Sequence, residues 1–295
     1  MTSMNKAYQV AATAVRQRFA EQYPDKLKIL NGIRKADIAV YSGSYDHVED
    51  ILKCLKVPMT MNPDPRQTQA KIIFVNCSGS YKDSLINKLR TQVENGKWLV
   101  SSDWALGNFI AKAFPNTVGR NQSNTGDEVI SVEASLNSLW SDVVVLGADP
   151  QWWLESSSHP IEVLDSEKVK IEAASHELLV RYNAPVVAVS FDWGKGHVFH
   201  VISHFWCNRS RTPTDRHRGP CQDFLKAGMK LSDEGIKKVL SQENITGNSL
   251  NFAQLQTAAT STELIAQLCV QAMKKVMPES GRSEKKQGFL SWAIG

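Results

Sequence analysis

Two segments of this chain carry side-chain types that perform acyl transfer in enzymes. Ser101 and Ser102 end an apolar run and are followed at once by Asp103. Much later in the chain, His204 follows another apolar run. A hydroxyl activated by a neighbouring imidazole is a common pairing of nucleophile and general base. The pattern predicts Ser102, or its neighbour Ser101, as a nucleophile and His204 as its base.

The same residues also have an ordinary structural interpretation. A Ser-Ser-Asp segment in front of a helix is typical of an N-cap, where Asp103 is favoured by the positive end of the helix dipole. A histidine at the end of a buried strand can simply be hydrogen-bonded in the core. His200 would share the face of His204 in a regular strand. The sequence leaves the catalytic and the structural interpretation open.

Further candidate binding residues follow other apolar runs. Tyr45 and Asp46 come after the first of these runs, and Cys77 comes after the second. Trp104 follows the Ser-Ser-Asp segment after the third. Because ligands of open α/β sheets gather at the carboxyl ends of strands, these side chains are expected to line one crevice. The alternatives are that Asp46 caps a helix and that Cys77 is a buried free thiol.

A basic, proline-punctuated loop lies over residues 208–220. Such a loop could bind phosphates or an acidic protein. Proteins that bind single-stranded nucleic acids also use aromatic side chains for base stacking, and this loop contains none. A solvated loop is the alternative. Its four arginines are Arg209, Arg211, Arg216 and Arg218.

The last residues of the chain form an apolar segment behind a polar spacer, 278–288. Phe289 and Trp292 lie in this segment, and aromatic anchors of this kind dominate the energetics of protein interfaces. The pattern predicts either a peptide anchor for a partner protein or a segment that docks back onto its own domain.

Metal and cofactor motifs are absent from the sequence. The five cysteines are scattered without a C-x-x-C pair, and the acidic residues around His47 lack the i, i+4 spacing of helical metal ligands. Neither a Rossmann nor a P-loop glycine pattern occurs. We therefore expect no metal site, no cofactor and no disulfide framework.

Composition sets the class of protein. The chain has 295 residues, 42% of them apolar, and a net charge of +4, which is ordinary for a globular protein of about two domains. The chain has no apolar stretch of about 18 residues and no signal-peptide core, which predicts a protein without a membrane span. Scattered, unpaired cysteines favour the cytoplasm.

The order of elements predicts an α/β fold. Three strand–helix units between residues 36 and 113 require parallel strands with helices on both faces. Three more strands, at 177–182, 185–191 and 197–202, predict an antiparallel edge, with Gly194 and Gly196 at positive φ in the hairpin. Helices are expected over 4–22 and 222–277, with a capping box at Thr260–Glu263.

Two motifs resemble the class I glutamine amidotransferase-like superfamily, especially its ThuA-like and uncharacterised bacterial branches. They are GKWLVSSDWA, beginning at Gly96, and GKGHVFHVISH, beginning at Gly194. The resemblance implies a flavodoxin-like sheet, a nucleophile elbow at Ser102 and a catalytic histidine at His204. The elbow has no cysteine, and Trp206 stands where the family has a glutamate, which implies that glutamine hydrolysis is lost.

The favoured hypothesis is therefore a non-enzymatic binding or assembly subunit whose partner is another protein. A Ser/His hydrolase or amidotransferase-like enzyme using Ser102 and His204 is the alternative, and a nucleic-acid-associated protein using the basic loop is the third. The expected organisation is an N-terminal helix (1–30), an α/β domain (31–207), the basic loop (208–221), a helical extension (222–277) and a tail (278–295).

Overall fold

The computed structural model describes residues 3–77, 80–135, 138–140, 150–246 and 249–274. Within these ranges the protein is a mixed α/β structure. The strands are β1 (Ile38–Tyr41), β2 (Thr60–Met61), β3 (Ile72–Val75), β4 (Trp98–Ser102), β5 (Val118–Arg120), β6 (Glu128–Ser131), β7 (Glu133–Ala134), β8 (Gln151–Leu154), β9 (Ile161–Val163), β10 (Lys170–Ala174), β11 (Val186–Trp193) and β12 (Gly196–Val201). The helices are α1 (Ser3–Gln22), α2 (Pro24–Asn31), α3 (Val48–Cys54), α4 (Asp83–Glu94), α5 (Ala111–Ala113), α6 (His176–Tyr182), α7 (Asp215–Arg218), α8 (Cys221–Ala227), α9 (Asp233–Gln242) and α10 (Phe252–Lys274).

The central sheet follows the order β2-β1-β3-β4-β12-β11-β10-β7. The strands from β2 to β12 in this order pair in parallel, and those from β12 to β7 pair antiparallel. Every residue of β1, β3 and β4 is buried, as in a parallel sheet that is covered on both faces. The predicted parallel sheet with an antiparallel edge is confirmed.

The predicted strand at 177–182 is wrong, because this segment forms helix α6. Leu178 is buried in the core whereas Val180 is 71% exposed, although the two side chains would lie on the same face of a strand. Glu177 and Arg181 lie one helical turn apart with their charged groups 3.8 Å from each other, which suits a helix. Asn183 ends the helix in the left-handed conformation, and β10 takes the expected place in the sheet.

The hairpin between β11 and β12 depends on glycine in two different ways. Gly194 has a φ of 60°, as the turn requires, but Gly196 does not have the positive φ that we expected. A Cβ atom on Gly196 would lie 2.1 Å from the carbonyl oxygen of Val93. Gly196 is therefore needed for close packing against the end of α4.

The predicted capping box at Thr260–Glu263 is also wrong, because α10 runs through it without a break. The hydroxyls of Thr260 and Thr262 donate to carbonyl oxygens one turn earlier, so they do not cap a new helix. Glu263 pairs instead with Arg18 of α1, and both side chains are fully buried. This ion pair joins the N-terminal helix to the C-terminal helix, which pack along each other.

Other expectations have mixed outcomes. Ser232 caps α9, since its hydroxyl accepts a hydrogen bond from the Gly235 amide. The predicted anchor residues Phe289 and Trp292 lie outside the described residues. No helix in the described ranges has the length and apolar character needed to cross a bilayer.

The loops after β1 and β3 touch at Gly43. A Cβ atom there would lie 2.0 Å from the carbonyl oxygen of Cys77 and 2.9 Å from the Cβ atom of Asn76. The same carbonyl accepts hydrogen bonds from the amides of Ser44 and Tyr45. Only glycine allows this approach, which fixes the position of Cys77 relative to the β1 loop.

We expect the Gly43→Ala substitution to lower the free energy of unfolding by about 3 kcal/mol, because backbone atoms cannot move away as a flexible side chain can. Gly107→Ala is the matched control, since a Cβ atom there meets nothing within 4 Å. Urea unfolding of both variants measures the difference. If the two variants were equally stable, the loops that touch at Gly43 could move apart at little cost in free energy, which would contradict the prediction.

Candidate functional site

The carboxyl ends of β1, β3, β4 and β12 meet at one edge of the central sheet. They bring together Asp46, Cys77, Asp103 and His204, which the sequence had placed after four separate apolar runs. Glu155 joins them from the end of β8. This edge is where open α/β sheets bind ligands.

The sharp turn after β4 is at Asp103 and not at Ser102. Asp103 has a φ of 44°, while Ser102 is the last residue of the strand. The helical segment begins after Asp103, so its carboxylate does not act as the expected helix cap. The residue at the elbow position is therefore a carboxylate, one residue beyond the position that the motif resemblance implied.

The hydroxyl of Ser102 is fully engaged inside the protein. It donates to Oδ2 of Asp46 at 2.6 Å and accepts from the Cys77 amide at 3.2 Å, and the residue has no exposed surface. Within the described ranges no hydrogen bond joins Ser102 to His204. The predicted pairing of these two residues as nucleophile and base is not present in this geometry.

The neighbouring Ser101 contacts a different histidine. Its hydroxyl lies 2.8 Å from Nδ1 of His200, and both residues are completely buried. His200 does not share the face of His204, because Ser203 has a φ of 59° and turns the chain after β12. Ser101 and His200 therefore form an internal polar contact beneath the edge of the sheet.

His204 lies between two carboxylates. Its Nδ1 is 2.7 Å from Oε2 of Glu155, and its Nε2 is 3.4 Å from Oδ2 of Asp103. Burial lowers the pKa of His204, but the interactions with Asp103, Cys77 and Glu155 outweigh this effect and raise the pKa above its usual value. No partner for this imidazole could be predicted from the sequence, because Glu155 follows a distant strand and no spacing links the two residues.

Cys77 is a free, buried thiol, as one interpretation of the sequence held. Burial raises its pKa, while the hydrogen bond from His204 lowers it. Its Sγ lies 3.8 Å from Oδ2 of Asp103. One donor atom each from Cys77, Asp103 and His204 lies within 4.8 Å of the others, an arrangement that could hold a metal ion and that the sequence did not predict.

An aromatic row covers the Asp103 turn. Tyr45 is 53% exposed and meets the Trp104 ring edge-on at 5.5 Å, and His159 stacks on the other side of Trp104 at 5.5 Å. The Trp104 indole donates to the Ser157 carbonyl, and the His159 amide donates to Asp103. We call Tyr45, Trp104 and His159 the aromatic row.

The arginines of the basic loop have partners within the chain. Arg209 pairs with Asp127 at 2.6 Å, and Arg211 pairs with Glu177 at 2.9 Å. Arg218 pairs with Asp215, and the Arg216 guanidinium lies over the Phe252 ring at 5.2 Å. Because these four arginine side chains already interact with groups of this chain, they are less available to bind phosphates or an acidic partner.

The carboxylate of Asp46 connects the strand ends. Besides the Ser102 hydroxyl, it accepts hydrogen bonds from the backbone amides of His47, Phe205 and Trp206. The residue has no exposed surface. Its oxygens hold the β1 loop against the ends of β4 and β12, so Asp46 has a structural role at this edge.

No protein-family model and no curated protein matches this chain. Among solved structures, a ThuA-like protein from Bacteroides uniformis is 12% identical, with a TM-score of 0.43 over 58% of this chain and 82% of that one. A β-galactosidase from Rahnella sp. is 11% identical, with a TM-score of 0.42 over 57% of this chain and 28% of the enzyme. A carbohydrate deacetylase, Agd3, is 14% identical, with a TM-score of 0.40 over 56% of this chain and 29% of that one.

The chain thus spans less than a third of the length of the β-galactosidase and of the deacetylase. The ThuA-like protein falls in a branch that the sequence motifs resemble. Similarity at this level establishes no function for this chain.

The Asp46→Asn substitution should lower the free energy of unfolding by about 3 kcal/mol, because one oxygen becomes an amide that cannot accept from its donors. Asp50→Asn is the matched control, since Asp50 forms a largely exposed ion pair with Lys53 that contributes little. Urea unfolding distinguishes them. An Asp46→Asn protein as stable as the control would contradict this role.

His200 should make the protein sensitive to acid. Burial, reinforced by His159, lowers the pKa of His200 to about 3. The unfolded chain, with a pKa of about 6.5, then takes up a proton that the folded chain refuses, so stability falls as the pH decreases below about 6.5. At about pH 5 this amounts to about 2 kcal/mol relative to neutral pH.

The His200→Gln variant lacks this titration and should lose about 2 kcal/mol less stability than the wild type between about pH 7.5 and about pH 5. Urea unfolding of both proteins at the two pH values measures this difference in the loss of stability. Parallel losses in the two proteins would show that His200 does not titrate differently on folding.

Proposed function

We propose that this chain is a non-hydrolytic binding subunit that holds another protein at the aromatic row. The main support for the proposal is that the position expected for a nucleophile is buried inside the protein and already hydrogen-bonded. The elbow residue is Asp103, and the nearby Ser102 hydroxyl is buried and already bonded to Asp46 and the Cys77 amide.

The position of His204 supports the same conclusion. A general base for a serine must contact its hydroxyl directly or through one water molecule. His204 is instead held by Asp103 and Glu155, and within the described residues neither of its ring nitrogens is hydrogen-bonded to Ser102. The imidazole is therefore not placed to remove a proton from the Ser102 hydroxyl.

The exposed aromatic row supports the binding role. Tyrosine and tryptophan are enriched at the energetic centres of protein interfaces. Tyr45 offers a half-exposed ring beside Trp104, at the sheet edge where open α/β folds bind ligands. The partner should present an apolar side chain that packs against the Tyr45 ring.

The strand order and the free cysteines support the proposed type of fold and the proposed cellular compartment. The parallel strand order β2-β1-β3-β4-β12 supports a flavodoxin-like core, in which the fifth strand comes late in the sequence. The five cysteines are free thiols, which supports a reducing compartment such as the cytoplasm.

The Tyr45→Ser variant should lose a protein partner that co-purifies with the tagged wild-type chain from its native cells. Val180→Ser is the matched control, since Val180 is 71% exposed on α6, outside the aromatic row. Quantitative mass spectrometry of the captured proteins measures the change. A partner is assigned to the aromatic row only if Tyr45→Ser removes it and Val180→Ser does not.

Two results would overturn the proposal. One is an identical set of captured proteins for wild type, Tyr45→Ser and Val180→Ser. The other is hydrolysis of L-glutamine or p-nitrophenyl acetate above background that disappears in a folded Ser102→Ala protein.

A further inference from the structure

We propose that Cys77, Asp103 and His204 form a binding site for a thiophilic divalent metal ion of the Zn²⁺ class. The three residues follow β3, β4 and β12, and their donor atoms converge within 4.8 Å at the edge of the sheet. This site does not depend on the aromatic row binding a protein.

The spacing of the donors matches tetrahedral zinc. With zinc–sulfur bonds of about 2.3 Å and zinc–nitrogen or zinc–oxygen bonds of about 2.0 Å, neighbouring ligand atoms lie about 3.3–3.6 Å apart. The Sγ of Cys77 is 3.8 Å from Oδ2 of Asp103, and Nε2 of His204 is 3.4 Å from the same oxygen. The third pair, Sγ of Cys77 and Nε2 of His204, lies within 4.8 Å, so rotation of these side chains towards one another would bring all three atoms onto one ion.

The orientation of His204 is that of a metal ligand. Its Nε2 atom is buried, has no hydrogen bond of good geometry and faces the donor atoms of Cys77 and Asp103. Its Nδ1 is 2.7 Å from the Glu155 carboxylate. Metal-bound histidines almost always donate their second ring N–H to such a group, which fixes the tautomer that leaves Nε2 free to bind the ion.

The donor set selects the type of metal. A thiolate, an imidazole and a carboxylate suit zinc or a similar transition metal, whereas Mg²⁺ and Ca²⁺ prefer oxygen ligands alone. All three side chains are nearly inaccessible to solvent, while the side chain of Glu155 is 39% exposed. Three protein donors leave the fourth tetrahedral position for water or another ligand.

A bound ion would tie three strand ends together. Asp103 is followed directly by Trp104, so the ion would lie beneath the aromatic row and hold the turn with its left-handed residue in place. Metal binding should therefore raise the melting temperature of the whole chain as well as fill the site.

The first test uses Glu155, whose partly exposed side chain can be changed with little risk to folding. The full chain, treated with a chelator and dialysed, should bind one equivalent of Zn²⁺ in a calorimetric titration. Glu155→Gln should weaken this affinity about 10- to 100-fold, because the imidazole loses its orienting carboxylate. Glu162→Gln, on an exposed position of β9, should bind as the wild type does.

The second test identifies the thiolate ligand. Co²⁺ added to the same chelator-treated protein should give a thiolate-to-metal charge-transfer absorption, and added Zn²⁺ should displace the Co²⁺ and remove this absorption. Cys77→Ser should abolish the absorption, whereas Cys54→Ser, which removes a half-buried thiol outside the site, should keep it. If Cys77→Ser does not fold, the Co²⁺ spectrum of the wild type and its loss on addition of Zn²⁺ decide the question.

Several results would overturn the inference. They are the absence of stoichiometric Zn²⁺ binding, equal affinity in Glu155→Gln and Glu162→Gln, and a Co²⁺ spectrum without a thiolate band. None of these results affects the partner-capture test of Tyr45→Ser.

Discussion

One buried carboxylate organises the functional edge of this protein. Asp46 has no exposed surface, so its charge is stable there only if protein donors replace water. The backbone amide of His47 in the β1 loop, the amides of Phe205 and Trp206 after β12, and the Ser102 hydroxyl provide that replacement. These hydrogen bonds keep the strand ends in a fixed relation to one another, and they engage the Ser102 hydroxyl, which the sequence had predicted as a nucleophile.

Two backbone turns then decide which side chains face one another. Asp103 and Ser203 both adopt left-handed conformations, which are unfavourable for residues other than glycine and persist where the surroundings fix them. The first turn directs a carboxylate towards Cys77, and the second directs His204 towards that carboxylate. The donor cluster proposed to bind metal and the aromatic row above it are consequences of the same pair of turns.

Several charged side chains of this protein are paired within the chain. The buried pair Arg18–Glu263 joins α1 to α10, and the loop arginines Arg209 and Arg211 pair with Asp127 and with Glu177 of α6. The net charge of +4 is small because basic and acidic residues nearly balance, and the structure places many of them next to each other. A concentration of arginine in sequence therefore need not be a concentration of unpaired positive charge on the surface.

The sequence by itself determined the parallel sheet, its antiparallel edge and the strand ends at which polar residues collect, because hydrophobic periodicity and glycine turns are local signals. It misjudged Glu177–Tyr182 and Thr260–Glu263, where an exposed apolar run and a buried ion pair override those signals. It could not supply Glu155 as the partner of His204, nor join Cys77 to Asp103, since no spacing along the chain encodes a contact between strands. Only the tertiary structure decided which polar groups are paired, because pairing of buried charge is settled by the neighbours that folding brings within a few ångströms.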